Sequence, residues 1–520
     1  MKEDSQTLDS ATTAVTVEGQ PDHKTRRYDR QLRLWAASGQ SALESSRILV
    51  IPGSATSTSI LKNLVLPGIG HFTIVDHTKV TPQDAGNNFF LEGPSSIGRS
   101  RAEETVRLLL ELNESVEGKA DQRDIAEILE NDPSFITSFT LVIAHNLHPT
   151  LLDRLSTLLW SDPLNPPLIV VNSAGFLAEF SIQFHQHPII ESHTETAPSL
   201  RIDKAFPALY DYATGLDFSQ LDSTDHGHVP YVIILVQLLD KWRREHDGKA
   251  PKTSEEKKAF KATILAMKKK IDEENFDEAE ALAYRCWTET TVPHEIAALF
   301  NEPALESLTS DSPHFFHLLY ALKRFAAQSP YVLPLTSSLP DMKASTESYI
   351  HLQKLYKARS TEEKESFKSF LQVPVPNDLV DTFVKNAHGL RLLKGKKWSD
   401  LDSNPSALAD KLPIYPKEIS THLALSALRS VTMKHQGKPP TAETLTEEAL
   451  ALLPPGTELP DVFSNAIGEL VRAPTADLPN SAAFLGGLVA QEAIKMITKQ
   501  YEPINGYCII DLIDSWTGTM

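Results

Sequence analysis

The stretch "ILVIPGSATSTSILKNL", residues 48–64, reads as a buried strand that passes through a short turn into a helix. Its apolar residues are continuous at the start and recur at helical spacing at the end. In doubly wound α/β folds, a turn at this place often holds a phosphate against the amino end of the helix. The stretch therefore predicts an α/β domain and raises the question of whether its turn can bind a nucleotide.

Strands and helices alternate along the chain around this unit. Short β-rich runs at 71–76, 139–144 and 167–173 read as further strands, and 100–113 reads as a helix. Alternation with continuously apolar strands is typical of a parallel sheet that helices cover on both faces. We therefore predict a doubly wound, Rossmann-like α/β fold.

The alternation stops near residue 185, and nearly every periodic segment between 231 and about 472 is helical. A helix at 481–500 and a strand at 504–512 follow, and these can return to the first sheet. The predicted organisation is a disordered tail at 1–24, the first part of the α/β domain at 25–185, a mainly helical insertion at 186–475 and a return segment at 476–520.

The composition is that of a folded, acidic protein. The 520 residues include 50 Lys and Arg against 68 Asp and Glu, which gives a formal net charge of −18. This balance argues against a dominant surface for nucleic acid or for membranes. With two cysteines, no apolar leader-like run and no apolar run long enough to cross a bilayer, we expect a cytoplasmic or nuclear location.

The turn at 52–57 lacks the residues that a phosphate cradle needs. Backbone N–H groups approach phosphates closely only where side chains are absent, yet Gly53 is the single glycine. Pro52 has no N–H, and Ser54, Ala55 and Ser57 each carry a Cβ. From chemistry alone, the turn is a plain strand-to-helix connection with Ser/Thr capping.

Four blocks of sequence carry a family resemblance: "RRYDRQLRLW", "ILKNLVLPGIGHFTIVD", "DAGNNFFLEGPSSIGRSRAE" and "GGLVAQEAIKMITKQ". Their order resembles the adenylation domains of the activating enzymes of ubiquitin-like proteins, the ThiF/ubiquitin-activating family. Within it, the length and the helical middle resemble the regulatory subunits of the heterodimeric enzymes for Rub/Nedd-type modifiers. The equivalent subunit of the SUMO-activating enzyme, which lacks so long a helical middle, stays an alternative.

Against that family, the positions that serve ATP are changed in this chain. The four loop glycines of catalytic members fall on Pro52, Ser54, Ala55 and Ser57. The ribose-binding Asp falls on Thr78, the magnesium-associated Asp on Asn146, and a Lys on Arg101. The Asn-Arg-Gln stretch near the phosphates becomes Gly86, Asn87 and Asn88, while the strand-end Asp76 is retained. The resemblance therefore implies a degenerate site that binds neither ATP nor a metal.

Neither cysteine fits the family's nucleophile, which lies in a Pro-x-Cys-Thr setting. Cys286 lies in "YRCWTET" within a helical run, and Cys508 lies in an apolar strand. We expect both to be structural. The histidines of "HQH" (185–187) and "DHGH" (225–228) lack the spacing of a zinc site, so we interpret them as solvated loop residues and predict no metal site.

The resemblance implies a non-catalytic subunit in an obligate heterodimer, whose catalytic partner holds ATP and magnesium and receives the ubiquitin-like modifier. In the family, an Arg of the amino-terminal helix reaches the partner's ATP in trans, and Arg30 stands at that position. The alternative from a different class is a self-sufficient nucleotide-dependent enzyme, either an adenylating enzyme or a dinucleotide oxidoreductase. The missing glycines and the missing ribose acid count against it.

Overall fold

The computed structural model describes residues 23–193, 199–434 and 438–520. Most of the predicted tail at 1–24 lies outside them, and the first helix begins at His23. The described chain forms two compact units: a sheet unit within Met1–Ile189 and Leu392–Met520, and a helical unit within Ile190–Arg391.

The first stretch of the sheet unit alternates strands and helices, as its sequence predicts. Its elements are α1 His23–Glu44, β1 Arg47–Ile51, α2 Ala55–Val65, β2 His71–Val75, α3 Pro82–Asn87, α4 Arg101–Leu110, β3 Glu117–Asp121, α5 Ile125–Asn131, α6 Pro133–Thr137, β4 Leu141–His145, α7 Pro149–Trp160, β5 Leu168–Ala174, β6 Leu177–Gln183 and β7 Gln186–Ile189, with a 3₁₀ turn at Gly93–Ser96.

The helical unit contains the α-helices α8 Pro207–Gly215, α9 Ser223–His226, α10 Tyr231–Glu245, α11 Ser254–Ala266, α12 Glu274–Ala281, α13 His294–Leu299, α14 His314–Ala326, α15 Thr346–Lys368 and α16 Asn377–Lys385, with 3₁₀ turns at Ala283–Cys286 and Pro303–Glu306. Its core forms around α10, whose residues Tyr231 to Val236 are all buried, and Phe260, Phe276 and Tyr356 pack against them.

The chain then returns to the sheet unit. The remaining elements are β8 Arg391–Lys394, α17 Pro405–Lys411, α18 Pro416–Lys434, α19 Ala442–Leu450, α20 Phe463–Arg472, α21 Pro479–Thr498, β9 Tyr507–Asp511 and β10 Trp516–Thr519, with a 3₁₀ turn at Trp398–Asp400. None of the described helices is both long and apolar enough to cross a membrane.

Eight strands form one sheet in the order β10-β9-β6-β5-β4-β1-β2-β3, and β7 pairs with β8 separately. Strands β1 to β5 are parallel, whereas β6, β9 and β10 extend the sheet in antiparallel fashion. Alternate residues of β1 enter different cores: Ile48 and Val50 pack with α2, α4 and α21, and Leu49 and Ile51 pack with α5 to α7. The predicted doubly wound fold, with helices on both faces, is confirmed.

The helical unit is shorter than the insertion expected at 186–475. It ends at Arg391, and the helices α17 to α20 belong to the sheet unit. Their apolar residues share a core with Ala174 and Leu177 of β5 and β6, and the Glu469 carboxylate accepts a hydrogen bond from the Phe176 N–H at 2.8 Å. Helical periodicity identifies a helix but does not show which core its apolar face joins.

Candidate functional site

The candidate site lies where the strand order reverses. β1 continues through α2 to β2 on one side, while β4 lies on its other side. In open α/β sheets, ligands bind in the crevice at the carboxyl ends of the two strands that flank such a switch point. Here those ends are the turn after Ile51 and the segment His145–Asn146.

The single glycine of the turn serves internal packing. The Gly53 N–H donates to Asp76 Oδ2 at 2.9 Å. A Cβ at this position would lie 3.2 Å from the Ile74 side chain and 3.3 Å from Asp76 Oδ2. The close approach that requires glycine here is therefore to the neighbouring strand β2 and its terminal aspartate.

The amino end of α2, where a phosphate would bind, is capped by side chains of this chain. Ser54 is the N-cap, and its Oγ accepts from the Ser57 N–H at 3.1 Å. The Asp477 carboxylate, from the segment before α21, accepts from the Thr56 N–H at 3.2 Å and from Thr56 Oγ1 at 2.6 Å. Because the helix dipole favours an anion here, Asp477 takes the place of the phosphate charge.

A chain of hydrogen bonds crosses the crevice from β1 to β5. Ser54 Oγ lies 2.7 Å from His145 Nδ1, and His145 Nε2 lies 2.8 Å from Ser173 Oγ. Burial lowers the pKa of His145, and the Arg101 charge adds to this against the opposing Asp477 carboxylate. The ring is therefore neutral at pH 7, with one nitrogen donating and the other accepting, and it ties the two sides of the switch point together.

The retained Asp76 binds the loop that follows β2 and the first residue of α4. Asp76 Oδ1 accepts from the N–H and the hydroxyl of Thr78 at 3.0 and 2.6 Å. Its Oδ2 accepts from Arg101 Nε at 2.7 Å, and Arg101 Nη1 also donates to Asp84 at 2.9 Å. Burial raises the pKa of Asp84, but hydrogen bonds from Thr81 and the charge of Arg101 outweigh it and lower the pKa. Arg101, at the family's lysine position, is thus neutralised within the chain.

Two of the asparagines at the family's ligand positions, Asn146 and Asn88, form hydrogen bonds within the chain. Asn146, with φ of +46°, donates from Nδ2 to the Ser173 carbonyl at 2.8 Å and accepts from the Ser173 N–H at 2.9 Å. Asn88 Oδ1 accepts from Thr58 Oγ1 at 2.9 Å and from the Phe90 N–H at 2.9 Å. Gly86 is exposed, and a Cβ on it would meet no atom within 4 Å.

The residues at the family's ATP positions follow strand ends or begin helices: Pro52, Ser54, Ala55, Ser57, Thr78, Arg101 and Asn146 lie after β1, β2 and β4 or at the start of α2 and α4. Arg101 forms ion pairs with Asp76 and Asp84. The N–H groups of Thr56 and Ser57 at the start of α2 have acceptors within the chain. Within the described ranges, no group of three or more His, Cys, Asp or Glu side chains could hold a metal ion.

Sequence reasoning missed three residues of this network: Asp477, His145 and Ser173. His145 and Ser173 end or nearly end apolar strands, and polar residues there in a parallel sheet are a usable signal. Asp477 is 421 residues from Thr56 in the chain and carries no such signal.

Both cysteines lie in the cores of their units. Cys286 closes a 3₁₀ turn and is fully buried, and Cys508 on β9 is 5% exposed. Burial raises the pKa of the Cys286 thiol strongly and that of Cys508 to about 11. Thiolate is the reactive form, so neither cysteine is suited to nucleophilic attack.

Two of the histidines interpreted as solvated loop residues, His187 and His226, are buried, so the interpretation is wrong for these two, whereas His228 is exposed. His187 is 4% exposed and His226 is 2% exposed, with His226 Nδ1 at 2.9 Å from the Glu273 carboxylate. The polar neighbours of these histidines in the sequence suggest exposure. The apolar residues that bury them come from distant segments, so the local pattern does not show the burial.

Arg30 is exposed on α1, away from the buried Tyr28. Its guanidinium forms no hydrogen bond or ion pair with any described residue, whereas Arg33, one turn further, pairs with Asp29 at 3.1 Å. A kink at Ala36 (φ 55°) interrupts the helix after them.

Comparison with known proteins identifies similar chains over nearly the whole length. The ThiF family model matches residues 28–145. A NEDD8-activating enzyme E1 regulatory subunit from Gallus gallus is 35% identical, over 94% of this chain and 96% of its own length. The regulatory subunit AXR1 from Arabidopsis thaliana is 33% identical over 96% and 97%, and that of Saccharomyces cerevisiae is 26% identical over 95% and 99%.

Among solved structures, PaaA is 15% identical with a TM-score of 0.27, over 32% of this chain and 57% of its own. The full-length relatives confirm the resemblance to the Rub/Nedd-type enzymes and give no support to the SUMO alternative. Because the identity extends over nearly the whole of both chains, this chain belongs to the family of NEDD8-activating enzyme E1 regulatory subunits.

Proposed function

We propose that this chain is the non-catalytic half of a heterodimeric enzyme that activates a NEDD8-type modifier. The catalytic subunit binds ATP and magnesium, adenylates the modifier and takes it onto its own cysteine. This chain binds neither ATP nor metal, and it works by pairing with that subunit. No nucleic acid or membrane takes part.

The observation that carries the proposal is the carboxylate of Asp477 on the amino end of α2. A triphosphate brought to this helix would meet a fixed negative charge at a distance where like charges repel strongly. The Ser54–His145 hydrogen bond spans the same crevice, so binding ATP would also break an internal buried contact.

We assign Arg30 the role of a cation that acts in trans on the ATP of the catalytic subunit. Two observations support this assignment. Arg30 is exposed and its guanidinium has no partner in the described chain, and it lies on the helix that carries the family's arginine. A guanidinium that gains a charge-assisted contact to a phosphate in the transition state accelerates the reaction by about 10- to 100-fold. The helical unit, by the same family argument, stands where catalytic members carry their cysteine domain and contacts the modifier.

The test is ATP–pyrophosphate exchange with the modifier present, for the purified chain alone and for the heterodimer. We expect exchange only from the heterodimer, and no ATP binding by the chain alone in calorimetry. Exchange by the isolated chain would reject the proposal and favour a self-sufficient adenylating enzyme.

Arg30→Ala should slow exchange by the heterodimer about 10- to 100-fold while the two subunits still co-purify. Arg33→Ala is the matched control, because Arg33 is also exposed on α1 but already pairs with Asp29. Equal rates for the two variants would remove the assignment of Arg30.

A further inference from the structure

A cavity of about 440 Å³ opens at the end of the sheet opposite the switch point. Ser46, Thr140 and Pro167 line it, and each immediately precedes one of the strands β1, β4 and β5. The degenerate turn lies at the carboxyl ends of these parallel strands, so the cavity is separate from it. Its volume is within the range of sites for small organic ligands, roughly 300–1,000 Å³.

The lining of this cavity has an unusual charge. It includes Lys499, His185 and His187, and no aspartate or glutamate is among the described residues that form it. The whole chain carries 68 acidic residues against 50 basic ones. The lining, with one ammonium and no carboxylate, therefore differs in charge from the acidic chain as a whole. Such a lining favours an anion.

Lys499 lies at the rim with its side chain exposed, and it forms no ion pair with any described residue. It ends α21 with φ of +54°, a conformation that favours glycine or asparagine. An exposed ammonium without an ion pair can bind a carboxylate brought to the cavity.

His187 supplies a buried polar atom without a partner. Its side chain is 4% exposed, and Nε2 has no hydrogen-bond partner. Burial, followed by the charge of Lys499, lowers the pKa of His187 to about 4, so the ring is neutral. His187 therefore contributes a neutral ring, and no charge, to the lining.

The remaining walls are apolar and aromatic. Trp160 stacks on His185 with ring centroids 3.8 Å apart and planes 17° from parallel. His185 Nε2 donates to the Trp160 carbonyl at 3.0 Å, which holds the stacked pair in place. Phe184 and Met496 add further apolar surface. This surface matches a flat or apolar ligand body.

We propose that this cavity binds an organic carboxylate with an aromatic or apolar body. The carboxylate accepts a hydrogen bond from the Lys499 ammonium, and the body lies against Trp160. Two sources present this chemistry, a free small acid and the carboxyl terminus of a polypeptide that ends in an aromatic residue.

The experiment is ligand-observed saturation-transfer NMR on the full chain. The probes are 3-phenylpropionate and its amide, and the tripeptide Ala-Ala-Phe as free acid and as amide. For ligands of this size we expect a Kd of roughly 1 mM for the acids. Each amide should bind at least about tenfold more weakly, because it lacks the charge that Lys499 recognises.

Lys499→Gln should weaken binding of the acids at least about tenfold. The matched control is Lys495→Gln on the same helix, since Lys495 pairs with Glu492 at 2.6 Å and does not line the cavity. That variant should bind the acids as the wild type does. If Ala-Ala-Phe acid binds more tightly than 3-phenylpropionate, the natural ligand is a polypeptide terminus. If it binds equally or more weakly, the natural ligand is a small acid.

Three results would overturn the proposal: no saturation transfer to either acid at about ten times the expected Kd, equal binding of acids and amides, or unchanged binding to Lys499→Gln.

Discussion

Asp477→Ala removes the carboxylate that caps α2 at the former phosphate position. The side chain is partly exposed and accepts two hydrogen bonds from Thr56, at 3.2 and 2.6 Å. Hydrogen bonds to a charged group contribute about 1.5–3 kcal/mol, and a carboxylate at a helix amino end contributes about 0.3–1 kcal/mol. For a partly exposed carboxylate we expect a loss of about 2 kcal/mol, or about 4 °C in melting temperature for a unit of this size.

The same substitution should open a site for an inorganic anion. With Asp477 gone, the Thr56 N–H has no acceptor and the helix dipole is uncompensated. If phosphate binds there with a Kd of about 10 mM, then 100 mM phosphate stabilises the variant by RT ln(1 + 10), about 1.4 kcal/mol. Phosphate would thus restore most of the stability that the substitution removes.

The assay is thermal unfolding of wild type and variant in matched chloride and phosphate buffers of equal ionic strength. Phosphate also stabilises proteins generally, so the informative quantity is the excess response of the variant. Asp124→Ala is the control, because Asp124 caps α5 through the Ala126 N–H at 2.8 Å but lies outside the switch-point crevice. Equal phosphate responses in wild type and Asp477→Ala would refute the reasoning.

Three further predictions follow from buried groups. Gly486→Ala should lower the free energy of unfolding by about 1–3 kcal/mol in a denaturant titration, since a Cβ there lies 2.8 Å from the Ser59 backbone. Gly487→Ala is the control, because a Cβ on Gly487 meets no atom within 4 Å. It should be neutral or stabilising by up to about 1 kcal/mol. Burial alone lowers the pKa of His422, but the carboxylates of Asp402 and Glu179 outweigh burial and raise the pKa to about 10. The charged ring therefore contributes its full stabilisation below pH 6.5. Between pH 6.5 and 10 this stabilisation declines by about 1.4 kcal/mol per pH unit, and beyond pH 10 it is gone. Unfolding measured from pH 6 to 10 should show this slope, and His422→Gln should remove it. Cys286 should resist alkylation by iodoacetamide in the native chain and react only after unfolding; rapid native labelling would contradict its burial.

Local patterns in the sequence are sufficient to predict most of the strands and helices that form the switch-point crevice. Continuous apolar runs predicted β1, β2, β4 and β5, and the strand at 504–512 was predicted to return to the sheet, where β9 pairs with β6. Strand β3, "EGKAD", lacked an apolar run because it lies at the edge of the sheet, with only Asp121 of its five residues buried. A strand of this kind carries no periodic signal.

The side chains that fill the turn are likewise evident from the sequence at Pro52, Ser54, Ala55 and Ser57, because side-chain volume and a missing N–H are properties of the residues themselves. What replaces the phosphate was decided by tertiary structure alone. Asp477 reaches Thr56 only because α21 packs against α2, with Gly486 in contact with Ser59. The limit of the helical unit at Arg391 was decided in the same way. Residue chemistry and hydrophobic periodicity give information about a few neighbouring residues. Contacts between distant segments depend on which apolar faces pack into the same core.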